Sequence, residues 1–295
     1  MARGSVKRLW RETGYLVEPK NTRDVMAMIG AVGTHSTGQR FAWRGLSSAD
    51  YTVLSSLHRD LGVSSNEASV RKAEDETISR AHEWGLGVAK LGLVDDFQLL
   101  ADLQHYGVPT RLIDVTSDPI TALWFACQRP SAEDVILDGL IVAINTTSYG
   151  HTLALTPADG TYATLGATHS SSRSKALSQP QPFTVRAAEA NPRLASQAGF
   201  FISGAVPDKP TDVFPSIAVD FSPHPGDLNL LATRGRGRPK ELPFVAILIP
   251  NSIKGKLLAS LDGTYNKSAR TLFPDFSGFR EFGQRTGSRE PSKAV

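Results

Sequence analysis

Residues 103–127 read LQHYGVPTRLIDVTSDPITALWFAC, and this stretch decides the fold. A helix running from about Asp95 to Tyr106 stops at Gly107, with Pro109 just beyond it. Thr110 to Ser117 then reads as an extended connection. Asp118-Pro119 supplies an N-cap followed by proline at the first helical position, so ITALWFAC continues as a buried helix. Polar and ionisable side chains crowd the extended part, directly before a helix whose first N–H groups have no partner within the helix. Such a place suits a phosphate. A second reading of the same residues is structural: Asp114 and Thr116 pair with backbone or with Arg111 and fix a tight strand-to-helix connection.

Working outward, Thr22 to Val32 places Val25, Met26, Met28 and Ile29 on one side of a short helix, with Asn21 as its N-cap. Phe41-Ala-Trp43-Arg44-Gly45 reads as a strand ending at a glycine. From Ser64 onward, NEASVRKAEDETISRAHEWG gives a polar-faced helix closed by Gly85. Gly139 to Asn145 and Pro243 to Pro250 are short apolar runs that read as central strands, and Asp212 to Phe221 reads as a further strand around Ile217-Ala-Val219. The stretch from about 165 to 193 is rich in Ser, Pro, Gln and Ala without periodicity, as in a long surface insertion. Residues 1–20 read as an N-terminal extension, 21–282 as one domain and 283–295 as a polar, disordered tail. Helices and strands interleave irregularly and no repeat is visible. The expectation is therefore a single mixed α+β domain with N-terminal helices.

The chain has 295 residues, 40% hydrophobic and 21% charged, values typical of a folded globular protein. Cys127 is the only cysteine, which excludes an internal disulfide and a zinc site built on paired thiolates. The histidines His35, His151, His169 and His224 are scattered without metal-ligand spacing, so no metal is expected. The start MARGSVKRLWRETGYLVEPK lacks the apolar core of a signal peptide and no run of about 18 apolar residues occurs. A cytoplasmic location is the expectation. Net charge is 32 − 29 = +3, too small to identify a partner.

The pieces Trp43-Arg44-Gly45, Ser55-Ser-Leu-His-Arg59, Leu103 to Thr116 and Leu272-Phe-Pro-Asp275 resemble the FRG domain family, named for a Phe-Arg-Gly signature. The middle block of that family is similar to Gln-His-Tyr-Gly-x-Pro-Thr-Arg-Leu-Leu-Asp-Trp-Thr followed by a helix ending in Phe-Ala. The resemblance spans roughly Phe41 to Phe282 and its specificity lies in Gln104 to Ala126. Trp43 stands where the family has Phe, and Val115 where it usually has Trp, which removes a large ring beside the expected site.

The order of a strand-borne aromatic-Arg-Gly, a strand ending in hydroxyl residues and an apolar helix is similar to that of ADP-ribosyltransferases, with a cleft between split sheets. The resemblance implies NAD as substrate and a macromolecular acceptor, protein or nucleic acid, as for a toxin or phage-defence effector. Arg44 would hold the phosphates, since a guanidinium pairs with phosphate bidentately and stays charged in a cleft. Thr116 and Ser117 would brace the cleft, and Gln104, Tyr106, Thr110, Arg111 and Asp114 would complete the binding wall. In the late element, Arg193-Leu-Ala-Ser-Gln197-Ala-Gly199, the resemblance calls for a glutamate and this chain has Gln197. A carboxylate stabilises the positive charge that builds on the ribose as nicotinamide leaves, and an amide does not. Three options stand: Gln197 positions a ribose hydroxyl, another acid such as Asp114 or Glu76 is recruited, or the chain binds a nucleotide without turning it over. His105 reads either as a general base or as a helix-terminal packing residue. Arg59 and Glu76 read as exposed helix residues in ion pairs.

Within a glycine-rich loop expected over 232–241, Arg234, Arg236, Arg238 and Lys240 resemble an AT-hook core, whose arginines enter the narrow minor groove of A·T-rich duplexes. A solvated loop between two strands explains the same residues. A non-catalytic nucleic-acid or nucleotide-binding sensor is accordingly the rival to the transferase. No Gly-x-Ser-x-Gly elbow, phosphate-binding loop or His-Glu-x-x-His site is present.

Overall fold

The computed structural model describes residues 5–35, 38–89, 92–129, 137–154, 170–187, 191–224, 228–232 and 241–283. In chain order these form α1 (Ser5–Glu12), β1 (Leu16–Val17), α2 (Thr22–Gly33), β2 (Phe41–Leu46), α3 (Ser56–Leu61), α4 (Glu67–Glu83), β3 (Val88–Ala89), β4 (Gly92–Leu93), α5 (Asp96–His105), β5 (Ile113–Thr116) and α6 (Pro119–Cys127). Then follow β6 (Gly139–Asn145), β7 (Gly150–Ala154), α7 (Ser170–Leu177), β8 (Phe183–Arg186), α8 (Pro192–Ser196), β9 (Gly199–Ser203), β10 (Phe244–Ile249), α9 (Asn251–Tyr265), α10 (Ala269–Leu272) and α11 (Phe276–Phe282). The expected mixed α+β architecture is present, built on an eight-stranded sheet in the order β1-β10-β6-β2-β5-β9-β8-β7, with β3 and β4 as a separate hairpin.

The helix boundaries follow the caps written in the sequence. The Asn21 side chain accepts from the Asp24 N–H, that of Asn66 from Ser69, that of Asp95 from Phe97 and that of Asp118 from Ile120. Strands β6 and β10 are buried residue by residue apart from the terminal Asn145. Their continuous apolar runs are what strands covered on both faces require. They pair over six register positions, as do β2 and β6. The contact between β2 and β5 is of another kind, a single pair, Trp43 with Thr116. The sheet is continuous in hydrogen bonding yet nearly divided at this seam.

Two apolar clusters pack on the sheet, and the larger crosses the seam through Ile113, Val115, Phe200 and Ile202. The larger joins Trp10, Val25, Trp43, Leu123, Ile141, Phe244 and Leu257 across α1, α2, β2, α6, β6, β10 and α9. The smaller joins Ile78, Phe97, Leu100, Leu112, Phe183, Val185 and Phe201 across α4, α5, β8 and β9. Gly45 is what lets α6 lie against β2, since a Cβ there would overlap the Ala122 carbonyl oxygen.

Several expectations need correction. Residues 212–221 form bends and coil rather than a strand. Pro210 and Pro215 remove ladder donors, and the segment instead buries Val213, Phe214 and Ile217 against Trp10 and Phe244. The stretch 165–193, expected as a surface insertion, supplies α7 and the buried strand β8 where it is described. The N-terminal extension is docked, with Trp10 fully buried and β1 extending the sheet in parallel beside β10. The tail beyond 283 and the basic stretch Arg234, Arg236, Arg238 and Lys240 lie outside the described residues. Among the described residues, no helix is long and apolar enough to cross a membrane and no cluster of candidate metal ligands occurs.

Candidate functional site

A cavity of about 280 Å³ opens where β2 and β5 diverge, lined among others by Arg44, Gln104, His105, Asp114, Thr116 and Gln197. The residues that line it come from six elements, β2, α5, β5, α6, α8 and β9. Its apolar side is Trp43, Phe125, Leu194 and Phe201.

Arg44 is the centre of its polar side. Its Nη1 donates to the main-chain carbonyl of Asp114 and lies 3.8 Å from Asp114 Oδ2. Its Nε is buried without a partner among the described residues. Burial pulls the guanidinium below the usual arginine range, Asp114 pulls it back and the charge of Arg59 lowers it further. An arginine remains charged under such shifts. Asp114 in turn accepts from Gln104 Nε2 at 2.7 Å, and Gln104 Oε1 accepts from the Thr110 hydroxyl. A relay of polar contacts therefore runs Thr110, Gln104, Asp114, Arg44 along the cleft.

The opposite wall is the turn from α8 into β9. Thr116 Oγ1 donates to the Gln197 carbonyl at 2.7 Å and accepts from the Asp118 N–H at 2.9 Å. Ser117 contributes its N–H and hydroxyl to the Ala198 carbonyl. Both hydroxyls hold this turn, so bracing is their observed work. The Gln197 amide donates to the Leu272 carbonyl at 2.9 Å. Leu272 and Asp275 belong to the Leu-Phe-Pro-Asp block, and Asp275 Oδ2, buried and without a hydrogen bond among the described residues, stands 3.6 Å from His105 Nε2.

Three sequence expectations are displaced. Arg111 faces away from the cleft: its Nε meets both oxygens of Glu74 at 2.9 Å, and its Nη1 meets Glu67 and the Gly204 carbonyl. Arg173 joins the same buried network through Glu74, Asp75 and Asp96. The free helix entrance is filled by the chain itself, because the Asp118 carboxylate caps α6 and pairs with Lys267 at 2.7 Å. Burial opposes its charge, yet Lys267, Thr121 and the Ile120 N–H together hold Asp118 below the usual carboxylate range. Among the described residues, an unused buried donor stands at Arg44 Nε rather than at the helix entrance. Glu76 lines a shallow groove on α4 and not the cleft; of the two acids considered, Asp114 alone lines it.

Tyr106 is 79% exposed and stacks edge-on against His105, ring centroids 5.0 Å apart. Val115 sits in the larger apolar cluster beside Trp43 and borders the cleft, so the smaller side chain changes packing under the site. Sequence reasoning missed Asn191 and Arg193, which also line the cavity. The Arg193 guanidinium lies over the Phe273 ring at 4.3 Å. The signal was available, since Arg193 opens the late segment and Phe273 lies in the Leu-Phe-Pro-Asp block.

No curated protein and no solved structure matches this chain. Trp43-Arg44-Gly45, Ser55 to Arg59 and Gln104 to Ala126 all fall inside the one stretch that a family describes, and residues 39–135 of this chain match the model of the FRG domain.

Proposed function

We propose that the cleft at the β2–β5 seam binds a nucleotide with its phosphates on Arg44 and, with NAD as substrate, transfers ADP-ribose to a macromolecule. The observation that carries this reading is the convergence of Arg44, Thr116 and Gln197, from three distant parts of the chain, around one cavity. A half-sequestered guanidinium with an unused Nε is suited to a phosphate, which accepts two parallel hydrogen bonds. The cavity lies near the lower bound of roughly 300 Å³ for ligand pockets, enough for one mononucleotide half, and Phe125 and Phe201 offer it apolar surface.

In the transfer the C1′–N bond to nicotinamide breaks and nicotinamide leaves with the electron pair. The acceptor nucleophile bonds to C1′ and loses a proton. Positive charge develops on the ribose in between, and Asp114 is the carboxylate in the cavity wall that can face it. Gln197, tied to Leu272, fits a role in positioning. His105 is the titratable ring in the wall that can take the acceptor proton.

The test is incubation with labelled NAD and RNA, DNA or protein acceptors. Label transfer lost in Arg44→Ala supports the reading; absence of both NAD binding and transfer removes it. Growth arrest on expression, relieved by Arg44→Ala, would mark a toxin-like effector.

The rival is a non-catalytic nucleic-acid-binding module. It is favoured by the amide at Gln197 and by exposed aromatic rings, Tyr106 against His105 at 79% and Phe276, which follows Asp275 in sequence, at 95% exposure, surfaces on which bases stack. Salt-dependent binding of single strands without NAD turnover would select it.

A further inference from the structure

The block Leu272-Phe-Pro-Asp275 runs from the end of α10 to the N-cap of α11 and holds three residues of the cavity wall. The Leu272 carbonyl accepts from Gln197 Nε2 at 2.9 Å and from the neighbouring Ser196 Oγ at 3.0 Å. The Phe273 ring lies against the Arg193 guanidinium. Asp275 reaches His105, with Oδ2 3.6 Å from Nε2. The block is anchored by packing, since Phe273 is buried among Trp124, Phe125 and Phe282, with ring centroids 5.8, 6.0 and 4.8 Å away.

Asp275 offers more than a cap requires. Its Oδ1 accepts from the Gly278 N–H at 2.6 Å and so starts α11. Serine or asparagine caps a helix as well as aspartate does, so the cap does not call for a second carboxylate oxygen. That oxygen, Oδ2, is buried without a hydrogen bond among the described residues. An unpaired buried carboxylate oxygen is costly, and the His105 ring N–H is the donor at hand. The separation of 3.6 Å exceeds a hydrogen bond, as catalytic pairs often do before a ligand closes on them. The His105 ring makes no hydrogen bond elsewhere among the described residues, so no other group fixes its tautomer.

We infer that Asp275 is the positioning residue of His105: its free oxygen holds the ring with the proton on Nε2 and leaves the Nδ1 lone pair as the base of the cleft. The acceptor gives its proton to Nδ1 as it bonds to C1′, while nicotinamide leaves with the electron pair. The imidazolium so formed stands beside the Asp275 carboxylate and returns the proton to water. This step rests on the transferase reading, whereas the hold of Asp275 on the ring requires no turnover.

The test compares the full-length wild type with Asp275→Asn. In the variant the amide oxygen keeps the Gly278 N–H, so the cap survives and the midpoint of urea unfolding should be nearly unchanged. The amide nitrogen then faces the ring as a donor, which moves the imidazole proton to Nδ1. Long-range proton–nitrogen correlation spectra at about pH 8.5, well above the ordinary imidazole value of about 6.5, read the tautomer of each neutral ring. His105→Gln identifies the resonances of this one. The wild type should carry the proton on Nε2 and Asp275→Asn on Nδ1. In label transfer, kcat should fall about 100-fold in Asp275→Asn, with KM for NAD within about twofold. His105→Gln should fall as far, and the double variant no further. A proton on Nδ1 or a mixture of tautomers in the wild type would overturn the inference, as would the same tautomer in both proteins. A kcat retained in full by Asp275→Asn would also overturn it and leave the transferase standing. The expected change of tautomer in a protein that never consumes NAD would uphold the Asp275–His105 pair and remove the transferase.

Discussion

Arg44 on β2 donates to the main-chain carbonyl of Asp114 on β5 across a seam where the two strands share only one register pair, Trp43 with Thr116. The side chain does there what ladder hydrogen bonds do elsewhere, and it does so from the wall of the cleft. Arg44 therefore has a structural role, which substitution can separate from the binding role proposed for it. Arg44→Lys keeps a cation but loses the planar fork. Nucleotide affinity should fall about tenfold in Arg44→Lys, by roughly 1.4 kcal/mol, with the midpoint of urea unfolding nearly unchanged. Arg44→Ala should lower both. A lysine variant with wild-type affinity in a calorimetric titration would show that phosphate is held elsewhere.

Arg111 offers the contrast. It lies in the most family-like block, yet its partner is Glu74, which is 1% exposed, and a second buried arginine, Arg173, meets the same carboxylate at 2.6 Å. Removing one partner of such a network strands buried charge at a cost of about 3–5 kcal/mol. Arg111→Ala should lower unfolding stability by that amount, read from urea titration. A ligand-binding arginine on the surface would cost almost nothing.

This contrast also explains how much the sequence could reveal. The helix ends were legible because their caps are local: Asn21, Asp95 and Asp118 lie within three residues of the N–H groups they accept from. Gly45 and the β2 strand were legible for the same reason. Arg173 meets Glu74 across 99 residues of sequence, a separation at which no local pattern survives. The four-residue strand β8 is too short for its alternation to stand out from loop composition. The phosphate site was drawn toward the entrance of α6 because an N-cap and a ligand compete for the same N–H groups, and Asp118 had already won. The convergence of Arg44, Thr116 and Gln197 could be expected from the order of the elements.

Ala198 joins α8 to β9 with φ at +47°, a conformation that costs an L side chain roughly 1–2 kcal/mol. Its carbonyl accepts from Ser117, which forces the turn beside Gln197. Glycine relieves that strain and enlarges the freedom of the unfolded chain, two effects of opposite sign. Ala198→Gly should leave stability level or raise it by up to about 1 kcal/mol, and Ala198→Val should lower it, both measured by thermal melting.

Cys127 closes α6 at 1% exposure, and burial pushes its thiol up to about 12, more than the nearby Lys254 can offset. Only the thiolate reacts readily. Thiol titration at pH 8 should therefore find no reactive cysteine in the folded chain and one in denaturant. Rapid labelling of the native protein would mean that α6 opens away from β2.

Acid should unfold the protein in two stages. His58 is buried with Nδ1 3.1 Å from Ser216 Oγ, and burial holds its imidazole below the usual value. A depressed folded value means that its contribution is complete above the unfolded value, about 6.5, and is lost as pH falls through the folded one. Asp118 and Asp138 follow at lower pH. Burial opposes their charge, but Lys267 holds Asp118 and Lys7 holds Asp138 below the carboxylate range, so their contribution is complete above about pH 4 and declines below it. Asp96 works in the opposite direction, since burial raises it despite Arg173; its contribution grows as pH falls through the folded value, above about pH 4, and so softens the end of the first stage. Urea unfolding measured from pH 8 to pH 3 should show a first decline starting near 6.5 that His58→Gln removes. A second decline below about pH 4 should shrink in Asp118→Asn, which keeps the cap but not the charge. A flat profile between pH 7 and pH 5 in the wild type would place His58 in water rather than buried against Ser216.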